Sequence, residues 1–443
     1  MDNTLAKQFH FGSLIKFALP NTVMMLFMSM YIIVDGMFVS RFVGTSALAA
    51  VNIVYPALSI LLAVAVMIAT GGSAIIARRL GEGDEEEART NLSFLVLTEV
   101  CLGVAVIVFG NLFLDQIVTL LGAEHAQFEM CRIYAKVIFC FAPTFALQTG
   151  FETFFVTAGK PAIGLSVVVG AGIANMVLDY LFIVPLDMGI MGAALATGIG
   201  TCIPAVAGLI FFFRKGKKVL YFVKPQWNAK VLLKTCTNGS SEMVTNLANA
   251  VTTFLFNYTF LKYFGENGVA SITIVLYVQY IFTALYFGYS NGIAPVISFK
   301  FGRGDVKQLK QIFKHSVWLI SLGSVAAYIL SRLLGRFAVE IFAPRGSAVY
   351  NMTVEGMEIF SLAFLLMGIS IFASALFTAF SDGFSSAAIS FARTFIFLAG
   401  SILLLPGLIG AEGVWAAVPV AEICGVIVTM IFLVWKRKKY QYI

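Results

Sequence analysis

Three carboxylates interrupt stretches of the sequence that are otherwise apolar: Asp35, Asp179 and Glu242. In a membrane-spanning helix such a charge is costly unless it faces the bundle interior or a water-filled cavity, so each is a candidate for function. Asn175 precedes Asp179 by four residues, which places both side chains on one helical face. Carboxylate and amide oxygens can hold a proton or a small cation, so the pattern predicts ion-handling chemistry inside a membrane.

The depth of these side chains within their spans supports a shared site. Asp35 lies six residues before Arg41, about 9 Å from the outer end of its helix at about 1.5 Å per residue. Asp179 lies six residues before Pro185, and Thr197 lies a similar distance inside the next span. The alternative is a set of unrelated polar residues that face water near the ends of spans.

Two further residues add to this prediction. Pro20 lies inside the first span, where a proline frees a carbonyl group and lets the helix bend. Glu242 lies about eight residues into the seventh span from the cytoplasmic side, a distance read from the sequence at the usual helical spacing. It is a candidate substrate or cation site in the second half of the chain. Its alternative role is a carboxylate that interacts with the dipole of a helix start.

The sequence offers little for catalysis. Its three histidines and six cysteines show no metal-ligand spacing, and no aspartate-rich motif could bind a diphosphate through magnesium. The glycines near Gly170 follow no predicted strand, so a dinucleotide fingerprint is excluded. We therefore expect neither an enzyme nor a catalytic residue, and no cofactor.

The composition is that of a membrane protein. Hydrophobic residues make up 59% of 443 positions and charged residues 12%, against about 25% charged residues in soluble domains. A span needs roughly 20 apolar residues, and we predict an all-α polytopic protein with twelve transmembrane helices. These lie near 13–40, 50–77, 91–114, 131–155, 162–184, 190–213, 236–262, 270–299, 315–335, 353–380, 385–408 and 413–435.

Basic residues predict the orientation. If the N-terminus is cytoplasmic, 23 basic residues fall on the cytoplasmic side and 7 on the other side. The 23 include Arg393, near the start of the eleventh span. The positive-inside rule then places both termini in the cytoplasm. This orientation accounts for the net charge of +7 better than nucleic-acid binding does, and we expect no nucleic-acid partner.

The two halves of the chain repeat each other. One constant shift of the chain against itself aligns Gly71 with Gly292 and Gly192 with Gly413, and the same shift aligns two polar GxGD-type loops. Because six spans per half is an even number, the two copies point the same way and form pseudo-symmetric lobes. We predict a first lobe at 1–213, a basic cytoplasmic linker at 214–235, a second lobe at 236–435 and a basic cytoplasmic tail at 436–443.

The pattern resembles the multidrug and toxic compound extrusion (MATE) family over essentially the whole chain, and is most similar to its bacterial DinF-like branch. The features that match are Pro20 with Asp35, Asn175 with Asp179, Thr197, the two GxGD-type loops, the segment Thr157 to Pro161 and the six-plus-six layout.

This resemblance implies an antiporter fold and function. Asp35, Asn175, Asp179 and Thr197 would form the cation-coupling network, with H⁺ as the favoured coupling ion and Na⁺ at the same four residues as the alternative. The protein would act as a monomer among membrane lipids and export small amphipathic organic cations, drugs or dyes, across the cytoplasmic (inner) membrane of a bacterium.

The competing function is a lipid-linked oligosaccharide or lipid flippase of the same superfamily. Such proteins usually have fourteen spans and more cationic residues in the cavity. The charges predicted inside the spans here are mainly acidic, which favours a cationic cargo.

Overall fold

A computed structural model describes residues 4–123, 125–216 and 218–443, and within these ranges the chain is helical with no β-strand. After a short 3₁₀ turn at Thr4–Ala6, the first half contains eight helices. They are α1 (Phe11–Phe42), α2 (Thr45–Glu82), α3 (Glu85–Leu112), α4 (Leu114–Leu120), α5 (His125–Cys140), α6 (Ala142–Thr157), α7 (Pro161–Ile183) and α8 (Gly189–Phe213).

The second half contains seven helices: α9 (Ala229–Gly302), α10 (Val306–Phe342), α11 (Ala348–Phe360), α12 (Phe364–Ala379), α13 (Gly383–Phe391), α14 (Ala399–Ile409) and α15 (Glu412–Tyr440). A 3₁₀ turn at Ser361–Ala363 joins α11 to α12, and a π-helix at Ala392–Leu398 joins α13 to α14. Each of these joined runs is therefore one continuous span.

The predicted number of spans is confirmed. In the described ranges ten helical runs are long and apolar enough to cross a membrane, and α5 and α6, bent by 55°, add an eleventh. The 74 residues of α9 would reach about 110 Å at about 1.5 Å per residue, far beyond one bilayer. Gly265 divides this helix, with φ 66° and ψ −158°, and the count becomes twelve.

Several predicted boundaries differ from the structure. Helix α9 begins at Ala229, inside the predicted linker, and α15 continues to Tyr440, inside the predicted tail. The seventh and eighth spans are separated by the single residue Gly265 rather than by a loop. Hydropathy misses these extensions because helix ends that project into water carry polar residues and lower the local average.

The prediction for Arg393 was wrong in one respect. It was counted among the basic residues of the cytoplasmic side, but it lies ten residues after Gly383 in a continuous helical run, about 15 Å along that span. Its side chain pairs with Glu422 inside the second half. The positive-inside count assumes that a basic residue lies in water, in a connection between spans. Arg393 does not need water, because it has a buried partner.

The repeated loops have repeated local structure. Gly83 follows the end of α2 and Gly304 follows the end of α9, and both have left-handed backbone angles, φ 88° and 71°, which favour glycine. Asp84 and Asp305 come next, and each side chain accepts a hydrogen bond from a backbone amide three residues later. This N-cap stabilises the start of α3 and of α10.

The buried apolar side chains form one core that both halves share and separate cores that belong to one half each. The shared core contains residues of both halves, from Leu5 to Tyr442. It lies at the end of the bundle where both termini are found. A second cluster contains only residues between Val39 and Ala194, and a third only residues between Phe256 and Val418. The two halves are therefore joined at the end that carries the termini and have independent cores at the other end.

Glycines allow the close approach of the two halves at the shared end. Helix α2 packs along α9. A methyl group at Gly71 would collide with the carbonyl oxygen of Thr235, and a methyl group at Gly239 with the carbonyl oxygen of Met67. The two backbones are thus in direct contact, which only residues without a side chain permit.

The C-terminal segment is docked rather than free. The Tyr440 hydroxyl donates to Asp382 Oδ2 at 2.8 Å, and Lys436 Nζ lies 3.1 Å from the same oxygen. The Tyr440 ring stacks on Phe380 with centroids 4.7 Å apart, and Tyr442 is buried. These contacts explain why the predicted tail is part of the fold.

Candidate functional site

The structure brings the two carboxyl groups of the first half together. Asp35 on α1 and Asp179 on α7 lie within hydrogen-bonding reach of each other, because α1 packs along α7. Asp179 is 1% exposed and Asp35 is half-buried. One oxygen of each carboxyl group is buried without a hydrogen-bond partner.

Asn175 belongs to the same face of α7. It is 1% exposed, and neither its amide oxygen nor its amide nitrogen has a hydrogen-bond partner among the described residues. Gly200 of α8 packs against its Cβ, where an added methyl carbon would lie 3.1 Å away. Buried polar atoms without partners are rare in folded proteins, so this amide is available to a ligand, an ion or a water molecule.

Thr197 lies in α8 and is half-buried. Its hydroxyl donates to the carbonyl oxygen of Ala193, one turn earlier, at 3.0 Å. Of the four residues assigned to the cation-coupling network, Thr197 is therefore the one whose polar group is satisfied by its own helix.

Two tyrosines near the carboxyl pair were missed by the sequence reasoning. Tyr31 of α1 and Tyr134 of α5 both lie close enough to Asp35 and Asp179 to interact electrostatically with them. Tyr31 is four residues before Asp35, on the same helical face, and this spacing was a signal that could have been used. Tyr134 carries no such signal, because only tertiary packing brings α5 to the site.

Pro20 lies in a helix that continues from Phe11 to Phe42 without interruption. The next residue, Asn21, donates from Nδ2 to the carbonyl oxygen of Gly288 at 2.6 Å and ties α1 to the second half. Gly292 packs against Asn21 as well. The helix-weakening proline is therefore next to a contact between the halves, and bending at this point stays a prediction.

The arrangement of the pair limits its chemistry. Two neighbouring carboxylates that are largely withdrawn from water repel each other strongly if both are charged. A proton shared between them, or a cation beside them, removes this repulsion. The site can thus exist with or without a bound proton or cation, and the two states differ in net charge. Ion-coupled proteins need this property.

Glu242 lies in the second half, 6% exposed, thirteen residues into α9. Its carboxyl group makes no hydrogen bond or ion pair with any side chain in the described ranges, while its backbone carbonyl accepts from Asn246 at 2.9 Å. A position thirteen residues from the helix start is too far for a strong interaction with the helix dipole, which acts over the first turn. This weakens the alternative role of Glu242.

The structure also places charges whose depth the sequence could not fix. Glu99 is fully buried with both oxygens unpartnered, and Glu152 accepts a hydrogen bond from Gln148 at 2.9 Å. Lys300 is 1% exposed and donates to a backbone carbonyl oxygen. The buried charges are therefore of both signs, because the second half contains Lys300 and Arg393 beside its acidic residues.

No group of three or more His, Cys, Asp and Glu side chains is gathered as a metal would require, within the ranges that the structure describes.

A bundle of twelve spans in two halves, with a carboxyl pair buried inside one of them, defines a polytopic membrane transporter. The chain belongs to the MatE family, since the sequence model of that family matches residues 20–181 and 242–402. Members of this family are transporters and not enzymes, which confirms the predicted family and the exclusion of catalysis.

Named relatives agree with this family. The chain is 24% identical over 425 residues to the multidrug export protein MepA of Staphylococcus saprophyticus, an alignment that covers 95% of this chain and 93% of the relative. It is 24% identical over 413 residues to MepA of Staphylococcus aureus, covering 93% and 91%.

Solved structures show the same fold. A MATE protein in complex with MaL6 superposes with a TM-score of 0.92 at 20% identity, covering 99% of this chain and 98% of that one. The outward-facing conformation of a multidrug resistance MATE transporter of the MOP superfamily superposes with a TM-score of 0.91 at 21% identity, covering 99% and 97%. The predicted fold class is thereby confirmed.

Proposed function

We propose that the protein is a cation-coupled antiporter that exports amphipathic organic cations, with H⁺ as the coupling ion and Na⁺ as the alternative. The observation that carries the proposal is the proximity of Asp35 and Asp179 inside the first half. Binding a proton or another cation relieves the repulsion within a buried carboxyl pair. Binding also changes the net charge of the site, and with it the packing that the site favours.

The coupling follows from alternating exposure of this pair. When the pair faces the acidic outside, it takes up a proton, and when it faces the cytoplasm, it releases that proton. Neutralisation removes a charge from α1, the helix that carries both Asp35 and Pro20, and allows that helix to repack against α7. A sodium ion would need oxygens beyond Asp35, Asp179 and Asn175, supplied by backbone or water, and for this reason we favour the proton.

Two partly exposed tyrosines, one from each half, suit a flat cation. Tyr55 of α2 is 52% exposed and Tyr280 of α9 is 50% exposed, although the two side chains lie close enough to interact. Aromatic faces attract cations, and two rings contributed by different halves can follow the movement of those halves. The relatives named multidrug export proteins support an organic cargo of this class.

The same proposal includes the setting of the protein. We place it in the cytoplasmic membrane of a bacterium with both termini inside, as a monomer of the DinF-like branch with lobes at 1–213 and 236–435. The MatE family model matches the chain twice, at 20–181 and again at 242–402. One match falls in each proposed lobe and the two are of nearly equal length, which supports a division into two lobes.

The flippase alternative depends on free positive charge in the interior. The buried Arg393 is paired with Glu422, and the buried Lys300 lies 3.8 Å from Asp305, so the antiporter is the better interpretation of these charges.

The test uses everted membrane vesicles from a bacterial host that lacks its own drug pumps. An imposed pH gradient should drive ethidium accumulation, because in everted vesicles export becomes uptake. Asp35→Asn and Asp179→Asn should each abolish this accumulation at equal expression, whereas Asp187→Asn in the exposed connection after α7 should not. If a sodium gradient alone drives uptake, the proton assignment is wrong, and if both variants still couple, the site is wrong.

A further inference from the structure

The second half contains a buried ion pair that the proposed coupling does not use. Arg393 and Glu422 are joined by three hydrogen bonds: Arg393 Nε donates to Glu422 Oε1 at 2.9 Å and to Oε2 at 3.0 Å, and a terminal nitrogen of the guanidinium donates to Oε1 at 2.6 Å. This is the planar, forked geometry in which a guanidinium binds a carboxylate most strongly.

Both members of the pair lie deep in their spans. The side chains are 13% and 5% exposed, and Glu422 is ten residues after the start of α15, about 15 Å from that end. The aliphatic stem of Arg393 passes over Gly425, where an added methyl carbon would lie 3.4 Å from Arg393 Cγ. The side chain of Arg393 is thus packed against α15 along its length.

The helix is irregular where Arg393 leaves it. The π-helix runs from Ala392 to Leu398, whereas the corresponding helix of the first half, α7, is regular from Pro161 to Ile183. π-Helical turns are rare and are frequent at functional sites. The irregular turn and the ion pair thus mark the same position.

The internal repeat relates this position to the carboxyl site of the first half. With the shift that aligns Gly71 with Gly292, Arg393 corresponds to Gly172 of α7, the helix that carries Asn175 and Asp179. Glu422 corresponds to Thr201 of α8, the neighbour of the glycine that packs on Asn175. The ion pair therefore lies on the two equivalent helices. It is one to two helical turns closer to the predicted cytoplasmic side than the carboxyl site is in the first half.

We propose that Glu422 is the acid of a cation site in the second half, and that the guanidinium of Arg393 is its resident cation. The class of ligand is a planar guanidinium-type cation, because the site presents both carboxylate oxygens to a fork of N–H donors. On the proposed function, an acid that is neutralised by the chain itself takes up no coupling ion, so the Arg393–Glu422 pair takes no part in the coupling that Asp35 and Asp179 carry out.

Chemical rescue tests this site without reference to transport. Arg393→Ala should lower the melting temperature of the purified protein, because a buried carboxylate loses its partner. Millimolar guanidinium or methylguanidinium should then raise it again in a saturable manner, since a ligand that binds only the native state stabilises it by mass action. Tetramethylammonium at equal ionic strength has no N–H donors and should not.

The matched control is Arg393→Ala combined with Glu422→Gln, which keeps the vacated space but removes the acid and should not respond. The proposal is overturned if Arg393→Ala shows no guanidinium response or if the double variant responds equally. If Arg393→Ala fails to accumulate in cells, accumulation with guanidinium in the growth medium supports the site, and failure in both media overturns it. These outcomes are independent of whether Asp35 and Asp179 couple transport.

Discussion

At the scale of single residues, the sequence predicted the carboxyl pair because charge inside an apolar span is rare enough to stand out. Asp35 and Asp179 belong to the first and fifth predicted spans, far apart in the sequence. Their equal depth in those spans was nevertheless enough to predict that they share a site. The same reasoning failed for Tyr134, since tyrosine is ordinary in a membrane helix. It also left the depth of Glu422 open, although that residue lies inside the twelfth predicted span, because the sequence does not show that Arg393 is its partner.

Glu242 is the residue whose role a single substitution decides. Glu242→Gln should impair export of some organic cations, because a buried carboxylate without an ion-pair partner is free to receive a positive charge, and Glu242→Asp should keep part of the activity. Drug susceptibility of a pump-deficient host measures this, with Glu266→Gln on the exposed part of α9 as the matched control. If Glu242→Gln leaves the resistance to every cation unchanged, Glu242 has only a structural role.

At the scale of helices, the contact between α2 and α9 depends on residues that have no side chain. Gly71→Ala should destabilise the protein by about 1–3 kcal/mol, as overpacking does, because its methyl group meets the backbone of Thr235. Gly170→Ala in α7 is the control: nothing lies within 4 Å of its added methyl group, and alanine favours the helix. Thermal unfolding in detergent compares them, and equal melting temperatures would contradict the close packing.

The cap of α13 gives the docked C-terminus a pH dependence. Burial opposes the charge of Asp382, but hydrogen bonds from Tyr440, Lys436 and Ser385 outweigh it, and the pKa of Asp382 lies below its ordinary value. A carboxyl group of this kind stabilises the fold above its ordinary pKa of about 3.9 and loses that contribution as the pH falls through the lowered value.

Hydrogen exchange of residues 436–443 measures this dependence. Protection should be high at neutral pH and fall only in strong acid, while Asp382→Asn should lose protection already at neutral pH. Asp187→Asn, in an exposed connection, should behave as the unaltered protein does. Full protection in Asp382→Asn would show that ring stacking alone holds the segment.

At the scale of the whole molecule, the number of spans and the repeat could be predicted from hydropathy and register, whereas the conformation could not. Spans and repeat follow from local composition, but which end of the lobes is joined depends on long-range packing of Leu5, Gly71 and Tyr442. Orientation is the remaining property that sequence predicts, through the excess of basic residues on one side.

Reporter fusions test that orientation directly. Fusions after Arg303 and Tyr440 should report the cytoplasm, and a fusion after Gly346, between α10 and α11, should report the opposite side of the membrane. The reason is the positive-inside rule applied to the connections between spans. A periplasmic signal from Arg303 or Tyr440 would invert the proposed direction of transport.

The exposed stretch at residues 224–230 has a consequence for ancestry. The segment before it is already held by the first half, where the Val223 amide donates to Ser93 and Arg89 donates to Val219. The covalent link therefore adds little to the association that the shared core already provides. Two genes, each encoding one half, should yield half-chains that associate in the membrane, which is what an origin by fusion of two half-length genes requires.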